Sequence, residues 1–281
     1  LKSADSLTRR LAVQSLIPAM GACAEEGLKT LFVSEQDVFV LASAVTAAAR
    51  LNVGVEYVTP YFAHQDIRLR ANAIRAAAKL GRNQLPGLIE PFLSDPALRV
   101  QNEALKGLAT LASEAELELL VLERLNSPDA PTRAATVFIT GELPLGRRVV
   151  FLINALSDKD HRVTGCAVRS LAVLRDPLGI RALIENFLTA PDEIFARSII
   201  KQLEADDADK IVSFADTIGR PVTSTPILAG RVMLAASTLT NWEPFLPWVI
   251  GATNRKEPDI RQAALKIIAN HMDFFRGNIA T

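Results

Sequence analysis

A short motif recurs along the whole chain, and its spacing restricts the possible folds more than any other feature. Four segments align without gaps: IRLRANAIRAA (67–77), LRVQNEALKGL (98–108), HRVTGCAVRSL (161–171) and, more loosely, IRQAALKII (260–268). Each contains a small residue followed by a branched one, with another apolar residue three positions later. This spacing places the apolar residues on one buried face of a helix.

Weaker copies of the motif fill the gaps between these four segments. The first anchor residues of all copies are Ala12, Ala44, Ala73, Ala104, Phe138, Ala167, Ile199, about Leu234, and Ala264. Successive anchors lie 29 to 35 residues apart, which gives a period near 31 residues. Such a period indicates a repeat protein, in which one unit cannot bury its apolar face alone and must stack on its neighbours.

Each period also contains an earlier helical stretch, so the repeating unit is predicted to be a helical hairpin. Examples of this first helix are residues 85–93, 116–125, 147–156 and 178–188. Turn residues separate the two helices, as in Ser94-Asp95-Pro96 and Ser127-Pro128-Asp129. Ser and Asp cap the amides of a following helix, and Pro fits its first turn. No alternating Val/Ile/Thr-rich segments are bounded by hairpin turns, so strands are not expected.

The sequence of residues 95–108 resembles the short bacterial type of HEAT repeat, as does the stretch from His64 to Gly81. The resemblance implies an all-α solenoid of about eight to nine stacked hairpins, forming a single HEAT-like domain over residues 1–281. The pattern is degraded at 1–50 and 206–250, and the chain could be a fragment of a longer protein. An armadillo solenoid ranks second, because its repeat is usually longer and has three helices.

Composition and charge narrow the possible functions. The 31 basic and 31 acidic residues give a net charge of zero, which argues against a nucleic-acid binder. Cysteine and histidine are too few for a disulfide framework or a metal site. Phosphate-loop, nucleophile-elbow and metalloprotease motifs do not occur. We therefore expect no catalytic residues, cofactor, metal or membrane span, and take a cytoplasmic location as the default.

A row of arginines follows the acidic turn residues. It consists of Arg68, Arg99, Arg133, Arg162 and Arg261. We interpret this row as structural, holding successive repeats together through charge-assisted Asp–Arg hydrogen bonds. The alternative is an anion-binding row.

A second basic row follows the branched anchors. It consists of Arg75, Lys106, Arg169, Lys201 and Lys266. In HEAT-like proteins the second helices line the concave surface, so this row is the predicted partner-binding site. It could hold an acidic peptide, an acidic protein face or a phosphate backbone. The alternative is a solvated helix edge made of good helix formers.

Four further features have structural interpretations. Trp242, Phe245 and Trp248 form a helical stripe and are predicted to lie in the core. Cys23 and Cys166 are predicted to be unpaired core thiols. The connection 219–226 is either a binding loop or an insertion that joins two repeats. Phe274 and Phe275 either cover the last repeat or mark a truncated domain edge.

The leading functional hypothesis is a non-enzymatic scaffold that binds a protein or peptide, acidic in character, along its concave surface. Two enzyme families have similar repeats, the phycobilin lyases and the HEAT-like alkylpurine DNA glycosylases. The zero net charge and the 6% aromatic content argue against a glycosylase. A lyase remains an alternative, and so does a regulatory or sensory module of a larger protein.

Overall fold

The computed structural model describes residues 1–80, 85–110 and 112–274. Within these ranges the chain forms helices and turns and contains no strand, so the predicted all-α fold is confirmed. The chain divides into two compact units, an N-terminal unit, Leu1–Gly146, and a C-terminal unit, Arg147–Thr281. The described residues form eight helical hairpins and one further helix at the start of the N-terminal unit.

In the N-terminal unit, the second helix of each hairpin packs on the second helix of the next. These helices are α1 (Ser6–Gln14), α3 (Val38–Leu51), α4 (Ile67–Leu80), α6 (Leu98–Leu108) and α8 (Ala130–Thr140). The first helices are α2 (Gly21–Ser34), the short α5 (Leu85–Ile89) and α7 (Glu114–Leu125). Two 3₁₀ turns, Val55–Tyr57 and Thr59–Tyr61, replace a first helix before α4. Proline explains both irregular hairpins, since Pro60 and Pro91 cannot donate a helical hydrogen bond.

The C-terminal unit repeats the same hairpin four times. Its first helices are α9 (Arg148–Ala155), α11 (Pro177–Thr189), α13 (Ala208–Ile218) and α15 (Leu246–Ala252). Its second helices are α10 (His161–Leu174), α12 (Glu193–Ile200), α14 (Pro226–Thr238) and α16 (Pro258–Asn270). Helix pairs therefore form also in the segments 1–50 and 206–250, where the sequence pattern is weakest.

The predicted caps form at the start of most second helices. The Asp37 carboxylate accepts hydrogen bonds from the amides of Phe39 and Val40 at 2.9 and 3.1 Å. Asp129 and Asp192 cap α8 and α12 in the same way. These side chains satisfy helix amides that would otherwise have no partner.

Numbering the first residue of each second helix as position one gives a common register for all nine helices. The seventh position is occupied by Ala12, Ala44, Ala73, Ala104, Thr136, Ala167, Ile199, Val232 and Ala264. Seven of the predicted anchors lie there. The anchors at Phe138 and Leu234 are wrong by two residues: Thr136 is fully buried, whereas Phe138 is 50% exposed. Because threonine is polar, the sequence pattern does not mark Thr136 as a buried residue. Its hydroxyl can be buried because it donates a hydrogen bond to a carbonyl of the same helix.

The aromatic stripe near the C-terminus lies in the core, as predicted. Trp242, Phe245 and Trp248 are all buried. Trp242 stacks on His271 at a centroid distance of 4.2 Å and meets the ring edge of Phe274 at 5.1 Å. Phe274 thus covers the side of the last hairpin, while Phe275 lies outside the described residues.

Candidate functional site

The fourth position of the second-helix register carries the side chains that close the hairpin turns. Arg133 donates to the carbonyls of Ser127 and Pro128 at 2.9 and 3.2 Å. Arg261 makes the equivalent bonds to the carbonyls at positions 255 and 256, at 2.6 and 2.7 Å. These two arginines of the predicted structural row therefore hold their own turns together.

At the same position, Arg9 and Arg70 also join successive hairpins. Each donates to the carbonyls five and six residues earlier. Arg9 pairs with Glu35 at 2.6 Å, and Arg70 pairs with Asp95 at 3.2 Å. The hydrogen bond from Arg9 keeps the pKa of Glu35 below its ordinary value. Arg9 and Arg70, which the predicted row does not include, therefore form inter-repeat pairs of arginine and carboxylate.

Arg68, Arg99 and Arg162 lie at the second position of their helices, not at the fourth, and their structural role stays a prediction. All three are exposed. The guanidinium of Arg68 lies 5.3 Å from the centroid of the Phe39 ring, and Arg162 pairs with Asp160 within its own turn at 2.8 Å. In the helix that contains Arg99, the turn carbonyl of Asp95 is bonded instead by Gln101, at 2.6 Å.

The predicted partner-binding row occupies the ninth position of every helix concerned. In the N-terminal unit, however, its members are paired. Arg75 contacts Glu103 at 3.0 Å, and Lys106 contacts Glu142 at 2.5 Å, each acid belonging to the next hairpin. In the C-terminal unit Arg169, Lys201 and Lys266 are exposed. Their role in partner binding stays a prediction.

A groove of about 590 Å³ lies between the first helices α11 and α13 of the C-terminal unit. Buried Ile180 and Ile184 and half-buried Phe214 make its lining largely apolar. Exposed polar side chains, including Arg181 and Ser213, form the rim. An apolar cleft of this size with a few polar groups has the usual character of a ligand or peptide site.

A buried ion pair fixes one end of this groove. The Asp207 carboxylate, with no solvent exposure, accepts hydrogen bonds from the Arg175 guanidinium at 2.9 and 3.0 Å. Lys210 and the amide of Glu204 donate to the same carboxylate. Burial alone would raise the pKa of Asp207, but these hydrogen bonds together keep it below its ordinary value. Sequence reasoning does not pair Asp207 with Arg175, because the two residues are 32 positions apart.

The connection between α13 and α14 is held by a residue that sequence reasoning missed. The buried Arg255 donates to the carbonyls of Pro221, Val222 and Ser224 at 3.1, 3.2 and 2.8 Å. It also pairs with Glu257 at 3.1 Å. The connection lies within one hairpin, between its first and second helices, and these bonds tie it to the turn of the next hairpin.

Two of the histidines lie at hairpin turns: His64 before α4, and His161 at the first residue of α10. His64 accepts a hydrogen bond from the amide of Asp66, and His161 lies 3.9 Å from Asp192. The prediction of a core position is wrong for Cys23, which is exposed because α2 buries its neighbours Ala24 and Leu28 instead, whereas Cys166 is half-buried. Among the described residues, no group of three or more His, Cys, Asp and Glu could hold a metal ion.

No described helix combines the length and the apolar character that crossing a membrane requires.

Comparisons with known proteins agree with the helical repeats. The family model of HEAT repeats matches residues 120–204. Among solved structures, the Escherichia coli protein YibA is similar at 14% identity, covering 96% of this chain and 98% of its own, with a TM-score of 0.46. The archaeal HEAT-like repeats protein from Thermococcus onnurineus NA1 is similar at 15% identity, covering 86% and 95%, with a TM-score of 0.35.

The complex of CpcE and CpcF of phycocyanin lyase from Nostoc sp. PCC7120 is similar at 17% identity, covering 91% of this chain and 95% of its own, with a TM-score of 0.35. No curated protein matches the sequence. Identities and TM-scores this low give no information about function. Residues 120–204 therefore match HEAT repeats, and the described residues on either side form helical hairpins as well.

Proposed function

We propose that the chain is a non-enzymatic interaction scaffold, which binds an apolar segment of a partner protein in the groove between α11 and α13. The observation that carries this proposal is the groove itself. Its apolar lining remains open to solvent although the surrounding helices are already packed in the stack. Burying apolar surface of this kind against a partner is the main favourable contribution to most protein association.

The lining of the groove supports binding rather than chemistry. Its polar side chains are arginine, lysine, serine, threonine and the carboxylate of Asp209, with neither histidine nor cysteine. Arg175 and Lys210 are engaged by buried Asp207. A nucleophile paired with a general base, which group-transfer chemistry requires, is therefore not assembled among these lining residues.

The predicted basic row offers a second contact on the other helices of the same unit. Arg169, Lys201 and Lys266 are exposed at equivalent positions of α10, α12 and α16. In this proposal they contact an acidic part of the same partner. Exposed charges of this kind contribute to the association rate and to specificity more than to affinity.

The proposal is tested by blocking the groove without disturbing the core. Ser213 is exposed on the rim, so Ser213→Trp fills the groove, and the exposed Ser237 at the end of α14 provides Ser237→Trp as the matched control. Partners cross-linked from native lysate are identified for the unmodified chain and quantified for each variant. We expect loss of the partner in Ser213→Trp alone. Equal recovery from both variants would exclude the groove.

The contribution of the basic row is measured separately in a triple variant, Arg169→Glu, Lys201→Glu and Lys266→Glu. Slower association with the same partner, with a reduced dependence on salt, is expected. Unchanged association at low salt removes the row from the proposal and leaves the groove as the binding site.

A further inference from the structure

A second groove, of about 300 Å³, lies on the second helices of the N-terminal unit. One stripe of α3 forms its floor, from Phe39 at one end to Arg50 at the other. Residues Arg10 and Gln14 of α1 form one wall, and residues Arg68 and Asn72 of α4 form the opposite wall. Three arginines from three successive second helices thus border a single groove.

These three arginines have no carboxylate partner among the residues that the structure describes. The side chain of Arg10 makes no hydrogen bond or ion pair with the described residues, and its Nε is buried without a partner. Arg50 donates through one Nη to the carbonyls of Val13 and Gln14, and the contact of Arg68 is with the ring of Phe39. No acidic residue lines the groove.

Neighbouring arginines on the same helices behave differently. Arg9 on α1 pairs with Glu35, and on α4 Arg70 pairs with Asp95. On these two helices, the arginines that join successive hairpins therefore each have a carboxylate partner. Three guanidinium groups around one groove instead repel one another and favour the binding of negative charge.

The arrangement of the three arginines indicates what kind of anion fits. Arg68 lies in the first turn of α4, whereas Arg50 lies in the last turn of α3. The stripe from Phe39 to Arg50 is about 16 Å long at 1.5 Å per residue. An extended chain of about five residues covers that length. Charges spread over such a distance suit several carboxylates along a segment better than one compact phosphate.

We infer that this groove binds an extended acidic segment of a protein, about five residues long. Its carboxylates pair with the guanidinium groups of Arg10, Arg68 and Arg50, which carboxylates accept in bidentate geometry. The exposed carboxamide of Gln14 is available to the backbone of the segment. The site belongs to the N-terminal unit and does not depend on the groove between α11 and α13.

The full chain is titrated into fluorescein-labelled hexaglutamate at low salt, and binding is followed by fluorescence anisotropy. Hexaglutamine is the uncharged probe. We expect saturable, salt-sensitive binding of hexaglutamate alone, since exposed charges are screened by added salt. Equal binding of both peptides, or no binding of hexaglutamate, would overturn the inference.

Variants locate the binding. We expect Arg10→Gln and Arg68→Gln each to weaken hexaglutamate binding about tenfold, which is the loss of one charge-assisted contact. The matched control is Arg99→Gln, because Arg99 is exposed at the same helix position as Arg68, one hairpin further on, and lies outside the groove. Equal weakening by Arg99→Gln would show nonspecific attraction and overturn the assignment.

Two further arms keep the result unambiguous. Arg68→Lys retains the charge and should bind hexaglutamate more tightly than Arg68→Gln. If substitution at this position merely unfolds the chain, both variants lose binding and their circular dichroism shows the loss of helix. Inorganic phosphate is added as a competitor, and displacement at concentrations equal to those of unlabelled hexaglutamate would refute the extended segment. Ser213→Trp should leave hexaglutamate binding unchanged, which separates this test from that of the proposed function.

Discussion

Replacing Asp207 by Asn tests how the C-terminal unit depends on one buried carboxylate. Each of its two oxygens accepts two hydrogen bonds: Oδ1 from Arg175 and Lys210, and Oδ2 from Arg175 and the amide of Glu204. Asparagine has nearly the same size, but one oxygen becomes an amino group. In either orientation that group faces two donors, so at least two hydrogen bonds are lost together with the charge.

The expected loss in the free energy of unfolding is about 3 kcal/mol at pH 7. Hydrogen bonds to a charged group contribute about 1.5 to 3 kcal/mol each, and removing one partner of a buried ion pair costs about 3 to 5 kcal/mol. The lower end applies because the released cations can regain water. The side chain of Arg175 is already 31% exposed, and that of Lys210 is 55% exposed.

The effect of this substitution should depend on pH. Because the pKa of Asp207 is lowered in the folded chain, the carboxylate stabilises the fold above the unfolded-state pKa of about 3.9. That stabilisation is lost as the pH falls through the folded-state pKa. The difference between the unmodified chain and Asp207→Asn should therefore be constant between about pH 7 and 5 and shrink below about pH 4, by up to 1.4 kcal/mol per pH unit.

Tryptophan fluorescence during urea unfolding reports on the unit concerned, because both tryptophans, Trp242 and Trp248, lie in it. The matched control is Asp206→Asn, which removes the adjacent exposed carboxylate and should change stability by no more than about 0.5 kcal/mol. A loss below about 1 kcal/mol at pH 7, or a loss that is equal at pH 5 and below pH 4, would refute the reasoning about the buried charge.

Two further predictions concern packing and the connection after α13. Gly107→Ala brings a Cβ within 2.9 Å of the Ala78 Cβ, and overpacking should lower the free energy of unfolding by about 1 to 3 kcal/mol. In Gly165→Ala the added Cβ meets no atom within 4 Å, so the free energy of unfolding should rise by up to about 1 kcal/mol. Urea unfolding followed by circular dichroism compares the two variants. A stabilised Gly107→Ala contradicts the prediction. Arg255→Ala frees three carbonyls of this connection, so elastase should cleave after Val222 about tenfold faster. Lys256→Ala is the control, and equal cleavage rates would contradict the prediction.

The helices and their order could be predicted from the sequence because each second helix repeats one buried pattern. The pattern misplaces the anchor only in α8 and α14. In α8 the buried anchor is Thr136, whose hydroxyl is satisfied within the helix, so polarity conceals burial. In α14 a long apolar run, Val232 to Ala236, offers several equivalent registers. Periodicity finds a helix face, but only the residue that starts the helix fixes the register.

The roles of individual arginines could not be predicted with the same success. Arg68 and Arg70 both follow Asp66 within one helical turn, yet only Arg70 reaches the turn carbonyls and the next hairpin. The acids that pair with Arg75 and Lys106 lie 28 and 36 residues further along the chain, at separations that no local pattern marks. Both grooves likewise depend on gaps between helices of different hairpins, which a single repeat does not encode.

The second and ninth positions of a helix are seven residues apart, which is close to two full turns, so they lie on one face. Two rows of basic residues that look separate in the sequence are therefore, on α4, parts of the same surface. On that helix Arg75 is neutralised by Glu103, whereas Arg68 borders a groove without carboxylates. What a partner can recognise is thus decided by which cations the next hairpin neutralises. A chain with zero net charge can in this way present a strongly basic groove.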